Sequence, residues 1–246
     1  MRVWLTVLGA LLLGGCAIQQ ATPLSSEEAT RAARANTDIA THHLRNDALE
    51  PALEKIERAL HQDPELIDAH LVAAELQERL NESAVAETHF QRALSLDSDN
   101  GPALNNYAAF LCGRGQLRRA LDLWDMAAAN PLYRGRIMAL SNAARCLAVS
   151  DQRRRAASYW RRALALQSDY PPALRGMAEW SLAHDRINAA QHWFSRYTAA
   201  AEESPSMLWL GVRIARAADH AERHGQLARR LRERYPASEQ AARLTE

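Results

Sequence analysis

An all-α fold, a right-handed superhelical solenoid of about six stacked helix-turn-helix repeats, is predicted by three features of the sequence. Helix formers (Ala, Leu, Arg, Glu) dominate beyond residue 30, and no apolar/polar alternation lasts long enough to build a sheet. A triplet of small, large and small residues recurs as Ala52/Ile56/Ala59, Ala86/Phe90/Ala93, Ala120/Trp124/Ala127 and Ala156/Trp160/Ala163, and once more as Ala190/Phe194/Tyr197. Its first Ala returns after 34, 34, 36 and 34 residues, and a matching small residue precedes each triplet at Ala40, Ala74, Ala108, Ala144 and Ala178. Small positions let two helices approach closely, and the large residue fills the gap between repeats. One such hairpin cannot bury its apolar face alone, so hairpins stack.

The first element is not part of that array. "MRVWLTVLGALLLGGCAIQQ" opens with one Arg and continues with about a dozen uncharged, largely apolar residues, too few to span a bilayer. Small residues and Cys16 follow, which predicts a signal peptide over 1–15. The Leu13-Gly14-Gly15-Cys16 ending resembles a bacterial lipobox, which implies lipidation of Cys16, the alternative being an ordinary signal with a chance cysteine. Ala17 rather than Asp at the second mature position implies sorting to the outer membrane. Several acyl chains would hold firmly where one binds only marginally. Residues 16–30, polar and containing Pro23, read as a lipidated tether.

The repeats then follow over 31–246, at about 33–66, 67–100, 101–136, 137–170, 171–204 and 205–238. The A-x3-F-x2-A spacing with a following Pro at a period near 34 is the tetratricopeptide signature. Between the third and fourth units the two extra residues fall at "NPLYRGR", a lengthened turn. The sixth, "SMLWLGVRIARAADHAERHGQLARRLRERYP", departs from the register, as a terminal unit with no next neighbour can.

Composition narrows the function. Charge is nearly balanced overall, at +1, which does not suggest a nucleic-acid partner. Residues 17–150 hold 13 Lys+Arg against 18 Asp+Glu, and residues 151–246 hold 16 against 11. This is either drift between solvated faces or a C-terminal half suited to an acidic partner or lipid headgroups. No P-loop, G-x-G-x-x-G or G-x-S-x-G is present, and no catalytic set, cofactor or small-molecule substrate is expected. His220 and His224 lie one turn apart but lack H-E-x-x-H spacing and a third ligand, so no metal is expected. His42 and His43 face different directions on a helix and make a poor chelate.

What remains is binding. In the tetratricopeptide register, positions 2, 5, 9 and 12 of the first helix of each repeat (helix A) point into the concave face. The candidate groove residues are Leu44, Leu71, Glu75, Asn105, Ala109, Arg145, Arg175 and Glu179, with Trp209 in the last unit. Asn105 either contacts a partner backbone or bonds across neighbouring A helices; its amide suits both. Arg145 and Arg175 either pair with an acidic segment or are merely solvated. Cys112 and Cys146 fall at almost the same height on the A helices of repeats three and four. They form a disulfide or stay as two buried thiols. A bond closing a loop of about 35 residues would contribute about 3–4 kcal/mol through loop-closure entropy, less any strain.

"LNNYAAFLCGRGQ", "NPLYRGRIMALSNAARCLA" and "MLWLGVRIAR" resemble the type IV pilus biogenesis lipoproteins of the PilF/PilW family, the pilotins of the pilus secretin. The likeness covers nearly the whole chain, with Ala108 and Ala144 standing where the family often has Gly. It implies an outer-membrane, periplasm-facing protein that promotes localisation and multimerisation of the secretin by binding it, for pilus biogenesis and stability, without catalysis. A generic outer-membrane repeat scaffold of another envelope assembly is the alternative. An envelope enzyme would need a catalytic domain, for which the repeats leave no room.

Overall fold

In the computed structural model the described residues run from 25 to 245; the signal peptide, Cys16 and most of the tether lie outside them. Twelve helices form six hairpins: α1 (Ser26–Arg45) with α2 (Leu49–Gln62), α3 (Ile67–Arg79) with α4 (Ser83–Leu96), and α5 (Gly101–Gly113) with α6 (Leu117–Ala129). Then come α7 (Arg136–Val149) with α8 (Arg153–Leu166), α9 (Pro171–Leu182) with α10 (Ile187–Ala200), and α11 (Pro205–Ala217) with α12 (Ala221–Arg234). A short α13 (Glu239–Ala242) and a 3-10 turn close the array. Among the described residues there is no strand and no helix long and apolar enough to cross a membrane. The architecture is the predicted all-α solenoid.

The expected tether, 16–30, overlaps the first helix. Helix α1 begins at Ser26, inside 16–30, because Ser25 forms a capping box: its hydroxyl accepts from the Glu28 amide and the Glu28 carboxylate accepts from the Ser25 amide at 2.9 Å. "SSEE" carried that signal.

Each hairpin turns by one device. The six turn residues Asp47, Asn81, Gly115, Asp151, Asp185 and Asp219 all have positive φ, between 53° and 72°. The amide of the next residue donates five positions back, as in Ala48 to His43, Gln116 to Leu111 and His220 to Ala215, each at 2.9 Å. This is the Schellman closure of a helix C-terminus. It needs a left-handed residue, for which Gly, Asn and Asp are the least strained. The turn marker continues at Asp219, 34 residues after Asp185, so α11 of the sixth unit stays in register. The departure is confined to α12, where His224, Ala228 and Leu231 stand in place of the triplet.

The large residue of each triplet meets the next repeat. Phe90 stacks on Tyr107 with ring centroids 5.3 Å apart. The Trp160 indole lies so close over Gly176 that it leaves no room for a Cβ there, and Phe194 covers Gly211 in the same way. One continuous core therefore runs from Leu71 to Trp180, with further clusters toward each end. Neighbouring A helices (α1, α3, α5, α7, α9, α11) contact one another in sequence, while successive B helices make no comparable contact. The A layer is thus the inner, concave one. At the open end Leu244 and Ala241 fold against Leu208 and Leu231, covering apolar surface that a seventh repeat would otherwise bury.

Candidate binding groove

From repeat two to repeat six the inner face is built from one residue per A helix at two heights. The lower height carries Glu75, Ala109, Arg145, Glu179 and Arg213, each exposed or half-buried. One turn earlier stand Leu71, Asn105, Ser141, Arg175 and Trp209, and most of these are not free. Leu71 is 9% exposed and belongs to the core, and Leu44 at 2% is deeper still, so neither lines a groove. Both are apolar residues at positions where the core between repeats reaches the inner layer. Asn105 is 4% exposed; its carbonyl accepts from Trp124 Nε1 at 3.2 Å and from Asn142 Nδ2 at 3.0 Å. It is the hydrogen-bonded link between helices α5 and α7, not a surface contact. Trp209 is half-buried against the terminal cluster of Leu208, Leu231 and Ala241. Glu75 is exposed and accepts from Arg79 Nη2 at 2.8 Å, and Ala109 is exposed beside it on α5.

Arg145, Arg175 and Glu179 do come together. They line a concavity of about 380 Å³ between α7 and α9, walled by Trp160, Tyr197 and Pro171. It shares Trp160 and Glu179 with a second hollow of about 330 Å³, which reaches Arg153, Trp180 and Arg213. Arg175 Nε donates to Glu179 Oε1 at 2.8 Å. Burial pulls the Arg175 pKa down, but the Glu179 hydrogen bond and charge outweigh it and the guanidinium is held above its usual value. Among the described residues Arg145 makes only a hydrogen bond, to Asn142 Oδ1 at 3.1 Å. Cations, aromatic faces and one compensated carboxylate suit the binding of a chain segment. The sequence reading missed Arg153, Trp180 and Arg213, although Arg213 lies 34 residues after Glu179 and the repeat register points to it.

The cysteines join two A helices, Cys112 being half-buried and Cys146 buried. Cys112 on α5 and Cys146 on α7 have Cα atoms 6.2 Å apart and sulfurs at bonding distance, 1.98 Å. His220 precedes α12 and His224 is half-buried one turn on; among the described residues no three His, Cys, Asp or Glu side chains are placed to hold a metal ion.

The tetratricopeptide repeat family matches residues 89–122, from within α4 to α6. Over 240 residues, 97% of this chain and 95% of the relative, the sequence is 25% identical to the type IV pilus assembly protein PilF of Pseudomonas aeruginosa PAO1. The crystal structure of PilW, a widely conserved type IV pilus biogenesis factor, superposes with a TM-score of 0.76 at 30% identity, covering 87% of this chain and 98% of that one. The structure of Pseudomonas aeruginosa PilF superposes with 0.75 at 22% identity, covering 89% and 98%.

Proposed function

We infer that this chain, which belongs to the PilF/PilW family of type IV pilus tetratricopeptide-repeat proteins, is an outer-membrane pilotin that works by protein–protein binding. Its partner is the type IV pilus secretin, whose localisation and multimerisation it promotes. The observation that carries this reading is the likeness to pilus proteins across 97% of the chain in sequence and 87% in the solenoid. The inner groove supports it, because its lining suits a partner segment. The lipobox at Cys16 supports the anchor.

The anchor and the role are tested together. A Cys16→Ser protein should lose palmitate labelling, leave the outer-membrane fraction, and shift secretin multimer away from that membrane. Continued labelling and sedimentation with the outer membrane would remove the lipoprotein reading.

In an oxidising periplasm the Cys112 and Cys146 sulfurs would be joined. Protein isolated without reductant, denatured and alkylated, should gain no label at these two positions, and two after reduction. Two labels before reduction would mean free thiols.

A further inference from the structure

Repeats four to six collect cations around one groove. Arg145 and Arg213 are exposed on the inner face and make no ion pair among the described residues. Arg153 has only an exposed contact with Asp151 at 3.6 Å, which contributes little. The single acid of the lining, Glu179, is already neutralised by Arg175. Beside these, Trp180 lines the second hollow while 8% exposed, and its buried Nε1 has no hydrogen-bond partner among the described residues. An unmatched buried donor costs about 1–3 kcal/mol, and a ligand acceptor would relieve it. The site therefore wants anionic acceptors, and its charged residues other than Arg145 fall in 151–246, the part of the chain with 16 basic against 11 acidic residues.

Spacing selects the form of the ligand. Arg145 and Arg213 stand at one height on α7 and α11, Arg175 one turn earlier on α9 between them, and packed helices lie about 8–10 Å apart. An extended polyproline-II segment rises about 3.1 Å per residue and repeats its face every third residue, about 9 Å. One terminal carboxylate reaches one of these arginines; acidic residues three apart reach the row. A flat lipid surface does not enter a concave face.

We propose that the inner groove of repeats four to six docks an extended acidic segment of a partner protein, its carboxylates about three residues apart, the outer two read by Arg145 and Arg213 and the middle one by the Trp180 indole. This deepens the binding reading of the same face and rests on it, without depending on which pilus protein supplies the segment.

The test uses full-length protein in mild detergent. The probe is a fluorescein-labelled, C-terminally amidated peptide, Glu-Pro-Pro-Glu-Pro-Pro-Glu, followed by anisotropy. Binding should weaken at least tenfold when Glu is replaced by Gln, and weaken with added salt. It should also weaken at least tenfold in Arg145→Glu/Arg213→Glu but not in Arg118→Glu, whose exposed site is on α6. Thermal melts check that the variants fold. The indole N–H resonance assigned by Trp180→Phe should shift on binding, and that of Trp124 should not. Equal binding of a Gln peptide with a free C-terminus, no binding at millimolar peptide, an unmoved Trp180 resonance, or anisotropy unchanged in the double variant would overturn the proposal. So would binding of phosphatidylglycerol vesicles that the double variant abolishes while the peptide is ignored. If the peptide fails but secretin assembly still requires this protein, the acidic-segment proposal falls and the assembly role stands.

Discussion

Trp124→Ala is expected to destabilise the solenoid by about 3–5 kcal/mol, the range for removing a buried Trp. Trp124 is 1% exposed and heads the largest fully buried side chains. Its removal opens a cavity in repeat three and takes one of two donors from the Asn105 carbonyl. That carbonyl links α5 to α7, so the loss falls on an interface between repeats. In a linear array each repeat is stabilised by its neighbours, and damage in the middle separates the two ends more than damage at a terminus. Urea unfolding followed by helical circular dichroism should show a lower midpoint and a broader or two-step transition. Trp124→Phe should recover most of the packing and keep a deficit of about 1 kcal/mol from the missing hydrogen bond. A Trp124→Ala protein with the wild-type midpoint would refute the central role of this side chain.

Fold and site were unequally legible. The hairpins could be read because Ala52/Ile56/Ala59 and its successors encode helix approach directly in residue size. A second periodic signal, the left-handed turn residues from Asp47 to Asp219, was equally present. It shows that α11 never left the register. The groove was harder. Register tells which residues face inward but not how far the core extends into the inner layer. Leu44 and Leu71 are therefore core residues at groove positions. Asn105 has the chemistry of a peptide-binding amide, and only its neighbours Trp124 and Asn142 reveal that both are already its partners. Trp209 is covered by a C-terminal turn that the repeat pattern does not predict. Charged inner positions were the readable ones: Arg145, Arg175 and Glu179 cannot enter the core, and they line one hollow.

The largest expected effect is in the cell. An anchored solenoid with its inner face available has one central task in this account, to bring secretin subunits together at the outer membrane. Secretin monomer is made without it, because nothing in the proposed role acts on synthesis. The heat-resistant secretin multimer, on that proposed role, would require subunits gathered in the right membrane. On the proposed role, pili emerge through that multimer. Immunoblotting of secretin in a strain lacking this protein, with surface pili counted in parallel, is the most direct measurement. The account predicts unchanged monomer, multimer strongly reduced and pili absent, with both restored by the wild-type protein. Normal multimer and normal piliation in the deletion strain would contradict it.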